Sequence, residues 1–347
     1  MSDEMMIGWD LGGAHVKAAR LDGSGRALEV IQVACPLWEG MHHLHAAVDQ
    51  VSGAIGAAPR HAVTMTGEMV DFFRDRGEGV SRLVAAIAER LAGPAVRFYA
   101  GERGFLDAAG AIRDPAAVAS ANWMASAALV AARRPSALLI DIGSTTTDLV
   151  PVHEGRVRAL GNDDARRLVS GELLYTGVVR TPVMALAQAA PFAGEWVPLM
   201  AEYFATTADL YRVLERLPEG ADLHPAADGG EKTVEASGRR LARMFGRDFD
   251  ADALGAWRRL AAWLAEAQVR RIDDACVRLW SRNLLPDDAP IVTAGVGRFL
   301  AHDLAARHRR QCLDFGSLIP CAPGVGGRVS DCAPAVAVAW LARQEAV

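Results

Sequence analysis

The sequence predicts an α/β protein made of two similar halves, with an insertion in the second. Three observations predict it. Near its start the chain reads Met6-Ile-Gly-Trp-Asp10-Leu-Gly12-Gly13-Ala14-His15-Val-Lys17-Ala-Ala-Arg20, and a related stretch, Leu138-Leu-Ile-Asp141-Ile-Gly143-Ser144-Thr145-Thr146-Thr147-Asp148-Leu-Val-Pro-Val152, recurs near the middle. After each copy the pattern changes to helices alternating with short apolar strands. The 347 residues, 51% apolar and 23% charged, suffice for about two globular domains.

Each copy is an apolar strand, then Asp-apolar-Gly, a small polar tip and a second apolar strand. Turns follow at Asp22-Gly-Ser-Gly25 and His153-Glu-Gly155, and third strands are predicted over 27–33 and 157–160. Each half therefore opens as a three-strand antiparallel meander with a glycine-rich first turn. In the first half, periodicity then predicts a helix over 41–55, a strand over 61–65, a helix over 80–92, a strand over 95–99 and a helix over 116–133. In the second half it predicts helices over 170–179 and 253–284, the latter with Trp257, Leu260, Trp263 and Leu264 on one stripe. A strand over 291–294, a helix after Gly297 and a last helix over 334–344 complete it. The domains are read as 1–135 and 136–347. The segment 191–250 carries Pro191, Pro198, Pro225 and Gly229-Gly230, fits neither pattern, and is read as an inserted lid.

Composition narrows the function. With 37 Lys+Arg against 42 Asp+Glu, the net charge is −5 and no basic run occurs. That argues against nucleic-acid or polybasic membrane partners and for small-molecule substrates. No apolar run reaches the roughly 20 residues of a membrane span, and the N-terminus does not read as a secretory signal. Five cysteines without a CxxC pair predict reduced thiols and a cytoplasmic location. Oligomeric state is left open, a homo-oligomer included.

The two glycine turns predict a polyanion site. Glycine lets the backbone approach a ligand closely, and a concave run of N–H groups makes an anion nest. The expected phosphate contacts are Gly12, Gly13, Ala14, His15 and Lys17 on one side and Gly143, Ser144, Thr145, Thr146 and Thr147 on the other. Asp10 and Asp141 end the buried first strands, where a carboxylate is costly unless paired. Mg²⁺ uses one or two carboxylates together with waters and phosphate oxygens, so Asp10 and Asp141 are the expected magnesium-water ligands. A third motif, Thr293-Ala294-Gly295-Val296-Gly297, is a strand ending in Gly-x-Gly before a helix, and places Gly295 and Gly297 at a helix N-terminus facing the cleft.

These three motifs resemble the two phosphate loops and the third glycine motif of the actin, sugar kinase and Hsp70 ATPase fold. The resemblance implies two actin-like (ribonuclease H-like) ATPase-type domains, each βββαβαβα. Asp141 through Asp148 and Gly171-Glu-Leu-Leu-Tyr-Thr-Gly177 are similar to the hydantoinase A/oxoprolinase group. Within it, Cys35-Pro-Leu-Trp38, Ala121-Asn122-Trp123-Met124, Gly171 through Pro182, Phe204-Ala-Thr-Thr-Ala-Asp209-Leu-Tyr211, Asp228-Gly229 and Lys232 through Met244 resemble the C1-transfer-pathway proteins, the methanofuran-biosynthesis branch.

The resemblance implies an enzyme that joins an aminomethylfuran bearing a CH₂–diphosphate to the phenol of a tyramine- or tyrosine-type acceptor, with diphosphate leaving. Mg²⁺ is the implied cofactor; an ATP-dependent kinase or hydantoinase/oxoprolinase-like ATPase is the alternative. A base is needed, because a phenol with pKa about 10 stays protonated at neutral pH. Asp148 is one candidate. Glu172 is another, or else it merely favours a helix N-terminus. Asn122 either contacts substrate or caps a helix, and Asp107 is a weaker candidate. Thr206, Thr207, Asp209, Asp228 and Lys232 are read as a substrate lid, or else as a solvated insertion.

Overall fold

A computed structural model describes residues 5–91 and 95–345. Residues 1–4 and the last position of the helix predicted over 80–92 lie outside them. The first half comprises β1 (Met6–Leu11), β2 (His15–Leu21), β3 (Ala27–Ala34), α1 (Met41–Ile55), β4 (Arg60–Met65), α2 (Arg76–Arg90), β5 (Ala95–Tyr99), β6 (Phe105–Leu106), α3 (Ala108–Arg113), α4 (Pro115–Val118) and α5 (Asn122–Arg133). Its strands form a sheet in the order β3-β2-β1-β4-β5-β6. The β1–β2 and β2–β3 pairs are antiparallel, whereas β1–β4 and β4–β5 are parallel. The central β1 is covered on both faces, so all its residues are buried and its sequence shows no polar alternation.

The second half repeats the plan with β7 (Ser136–Ile142), β8 (Thr147–His153), β9 (Arg156–Val157), α6 (Asp164–Ser170), β10 (Leu173–Leu174), β11 (Ala189–Phe192), β12 (Glu195–Pro198), α7 (Thr207–Val213), α8 (Val234–Arg243), α9 (Leu254–Trp280), β13 (Ile291–Ala294), α10 (Arg298–Arg307), β14 (Cys312–Asp314), α11 (Gly326–Asp331) and α12 (Ala333–Glu345). The sheet order is β10-β8-β7-β13-β14, with β9 also on β8. Two sheets of related plan thus lie in one chain. No helix among the described residues is long and apolar enough to cross a membrane.

Three local expectations fail for identifiable reasons. The helix predicted over 116–133 is broken into α4 and α5, because Ser120 adopts φ 50°. The third strand of the second half is only Arg156–Val157, and β10 completes the edge of β8 beside Asp148 and Thr147. The helix predicted over 170–179 does not form. Helix α6 ends where Gly171 takes the left-handed conformation, φ 77° and ψ 13°, a common helix stop, and the apolar pair Leu173–Leu174 joins the sheet instead.

The two halves exchange helices. Helix α5 packs against β7, β8 and β9 of the second sheet, while α12 packs on β1, β2 and β4 of the first and against α5. A Cβ on Gly8 would sit 1.9 Å from the Ala335 carbonyl oxygen, so glycine is what lets α12 lie this close to β1. Residues 320–322 also bond the edge of the first sheet, through Ala27 N–H to the Pro320 carbonyl and Ala322 N–H to the Ala27 carbonyl. One apolar core therefore contains Met6, Ala19 and Ala62 from the first half and Leu139, Val292 and Val336 from the second. The inserted segment packs on α9: Phe192 stacks on Trp257 at 4.6 Å, and the Tyr211 hydroxyl donates to Gln268 Oε1 at 2.6 Å.

Candidate active site between the repeated hairpins

The two β-hairpins carry the site because the repeat places their turns on opposite walls of one cleft. Gly12 N–H donates to the His15 carbonyl and Gly143 N–H to the Thr146 carbonyl, both at 2.9 Å, so the turns close in the same way. The cleft has a volume of about 540 Å³. Asp10, the Gly12–His15 turn and Lys17 line one wall, and Asp141, the 143–146 turn and Asp148 line the other. Among the described residues, the backbone N–H groups of Gly13, Ala14, Ser144 and Thr145 meet no acceptor. Four donors left free at two facing turns make a receptor for an anion.

The strand register shows how the repeat has diverged. Asp10 lies opposite Lys17 across β1–β2, and Asp141 lies opposite Asp148 across β7–β8. The position that is cationic in one hairpin is acidic in the other. Lys17 Nζ is 3.7 Å from Asp10 Oδ2, and burial still pushes the Asp10 carboxyl up despite Lys17. Burial and the neighbouring Asp148 push Asp141 up to about 7. Asp148 is ion-paired to Arg167 at 2.8 Å, and the Arg167 guanidinium lies 3.8 Å over the Trp123 ring.

Asp10 Oδ1 is buried without a hydrogen-bond partner, and Asp141 has no cation at ion-pair distance among the described residues. Two carboxylates on facing walls fit a hydrated divalent cation that also binds phosphate oxygens. A cage of three or more His, Cys, Asp or Glu side chains does not occur among the described residues.

Several predicted site residues are engaged elsewhere. Gly295 and Gly297 lie beneath the second hairpin, not in the cleft lining. Gly295 N–H donates to the Ser330 carbonyl and Gly297 N–H to the Ile142 carbonyl, so neither is free for phosphate. A Cβ on Gly295 would meet the Ile142 oxygen at 2.2 Å, which is the reason for glycine there. The Thr147 hydroxyl donates to the Thr176 carbonyl at 2.7 Å. Glu172 opens no helix; it is fully buried, ion-paired to Arg282 at 2.8 Å, and accepts from Leu160 N–H. Asn122 does line the cleft, but its Oδ1 accepts from Trp123 N–H at 2.7 Å. Asp107 caps α3.

The lid residues also fail to reach the cleft. Thr206 and Asp209 form the capping box of α7, and the Thr207 hydroxyl donates to the Gly177 carbonyl. Asp209 and Asp228 pair with the buried Arg240, and Lys232 pairs with Asp222. The insertion touches the cleft through His224 instead, whose Nε2 lies 2.7 Å from the Ala14 carbonyl oxygen.

Sequence reasoning missed one group and, apart from the expected His15, the members of another. At one end of the cleft, Ser120 Oγ is 2.8 Å from Glu68 Oε1 and 3.1 Å from Asp164 Oδ2, and Asp164 pairs with Arg76. A hydroxyl has one proton to donate. The Ser120 hydroxyl can therefore donate to only one of the two carboxylates at a time, and burial pushes the Glu68 carboxyl up. At the other end, Trp38, His15, His224 and Arg180 gather. His15 is buried, and its Nε2 has no hydrogen-bond partner. Glu68 could not be found from spacing, because the irregular turn at Ser120 creates its contact.

Comparison with known proteins agrees with this architecture. The hydantoinase/oxoprolinase family profile matches residues 60–326. The chain is 28% identical over 346 residues to a (4-{4-[2-(gamma-L-glutamylamino)ethyl]phenoxymethyl}furan-2-yl)methanamine synthase of Methanocaldococcus jannaschii, covering 98% of each chain. It is 40% identical over 82 residues to the protein of that name from Methanococcus vannielii, covering 24% of this chain and 36% of the relative. Among solved structures, nucleotide-free acetone carboxylase superposes with a TM-score of 0.53 at 11% identity, covering 97% of this chain and 70% of that one. With the profile spanning most of the sequence and both repeated hairpins in place, the chain belongs to the hydantoinase/oxoprolinase family.

Proposed function

We propose that the protein is a transferase of methanofuran-type C1-carrier biosynthesis. It condenses an aminomethylfuran-methyl diphosphate with the phenol of a tyramine- or tyrosine-type acceptor and releases diphosphate. The furfuryl C–O bond breaks with its electron pair leaving on diphosphate. A lone pair of the phenol oxygen forms the new C–O bond, and the phenolic proton passes to a cleft carboxylate, for which Asp148 is the candidate. Furan oxygen donation stabilises the positive charge that builds on the furfuryl carbon, so the main demand on the protein is to hold the leaving group. Preorganised N–H groups and positive charge meet that demand.

The observation that carries the reading is the pair of facing turns with free N–H donors at Gly13, Ala14, Ser144 and Thr145. The nearly full-length likeness to a relative whose name describes a phenoxymethylfuran amine supports the ether chemistry. Asp10 and Asp141 would hold Mg²⁺ through water, and the ion would supply charge neutralisation for diphosphate. Thr145 and Thr146 add hydroxyl donors.

The test is mass spectrometry of an assay with the furfuryl diphosphate, tyramine, tyrosine or a glutamylated tyramine, and Mg²⁺. The ether should form without ATP and stoichiometrically with diphosphate. Strict dependence on ATP, with ADP accumulating in step, would overturn the reading in favour of an ATP-driven enzyme.

A further inference from the structure

Arg180 is a cation that lines the cleft. Its guanidinium carbon lies 4.4 Å over the Trp38 ring, and no carboxylate stands at ion-pair distance among the described residues. Most arginines in the structure that are not wholly exposed are paired or hydrogen-bonded, as Arg167, Arg212, Arg240 and Arg282 are. Burial works against the charge of Arg180, and the groups that offset it are the tyrosines Tyr203 and Tyr175, not a carboxylate. A partly buried, unpaired cation is costly, and pairing with an anion offsets that cost.

Its place points to which anion. Arg180 N–H donates to the Ser144 carbonyl at 2.9 Å, so its backbone is fastened to the second turn. The segment around Gly177 is pressed against the same turn, where a Cβ would meet Thr145 N at 2.4 Å. The same guanidinium also acts on His15 and His224 at the first turn: burial first, then the charges of Lys17, His224 and Arg180, push the His15 imidazole down, and burial together with Arg180 pushes His224 down. His15 is 6% exposed, lines the cleft, and has an Nε2 without a partner. Arg180 and this unpartnered imidazole thus share one corner between the two anion-binding turns.

We propose that Arg180, with His15 beside it, grips the diphosphate of the donor substrate and neutralises the charge that develops on it as the furfuryl C–O bond breaks. Trp38 is the platform that holds the guanidinium at this corner. The assignment rests on the diphosphate reading of the cleft and adds to it the residue that senses the leaving group. The guanidinium fork suits paired phosphate oxygens better than a single ammonium does.

The test is calorimetric titration of inorganic diphosphate, with Mg²⁺, into the full chain and its Arg180→Gln and Arg180→Lys variants. Far-UV circular dichroism verifies that each is folded. Glutamine should weaken diphosphate binding by about 10- to 100-fold, lysine should restore part of it, and kcat should fall in the same order. Equal diphosphate affinity in wild type and Arg180→Gln would overturn the assignment while leaving the cleft reading intact. No diphosphate binding by the wild type would remove both. A rise confined to the KM of carboxylate-bearing phenols, with tyramine and diphosphate unaffected, would overturn it in favour of acceptor-carboxylate recognition.

Discussion

Asp141 and Glu172 show that two acidic residues from the same sequence neighbourhood can have opposite roles. Asp141 lines the cleft and, among the described residues, has no cation at ion-pair distance; Glu172 is enclosed and fully engaged by Arg282 and Leu160 N–H. Asp141→Asn should therefore lower turnover by about 100- to 1,000-fold, the usual effect of losing a preorganised charge-stabilising group, with little change in melting temperature. Glu172→Gln should do the reverse. It keeps the shape but loses a charged hydrogen-bond acceptor, which costs about 1–3 kcal/mol of stability with turnover retained. Thermal melts and steady-state assays on the pair check this; near-normal turnover in Asp141→Asn would remove its role. The sequence could identify both as acids near motifs. It could not tell them apart, because the partner of Glu172 lies 110 positions away at Arg282.

At the scale of elements, packing distance decides. The α12–β1 contact requires that residue 8 have no side chain, so Gly8→Val should destabilise the protein by about 1–3 kcal/mol or more through forced overpacking. Gly53 on α1 faces open space, and Gly53→Ala should instead stabilise by about 0.5–1 kcal/mol. Urea denaturation of the two variants checks both signs. The long or strongly patterned elements were legible: α1, β5 and β13 fall on their predicted bounds. The stretch around Gly171 was not. Its apolar residues suit a helix face as well as a sheet edge, and the left-handed turn at Gly171 together with pairing to β8 decides between them.

At the scale of the molecule, the crossed packing of α5 and α12 makes the two sheets interdependent. A chain cut at residue 135 would leave β1 without α12 and the second sheet without α5. Residues 1–135 expressed alone should therefore lack a cooperative melt, and co-expression with 136–347 should restore one transition. Circular dichroism of the fragments and of the reassembled pair checks this; a cooperatively folded 1–135 fragment would contradict it.

The sequence by itself determined the repeated hairpins, the glycine turns and the aspartates that end their first strands, because these are local patterns of strand period and turn chemistry. Only the tertiary structure decided which groups remain free. Gly295, Gly297 and Thr147 have the right composition for a phosphate site, yet their N–H or hydroxyl groups are already bonded to neighbouring backbone. Arg180 lies in a family-like stretch that gives it no role, yet among the described residues it meets no carboxylate and lines the cleft beside both turns. Availability depends on partners distant in the chain, and a buried polar group must be satisfied by whatever the fold brings next to it.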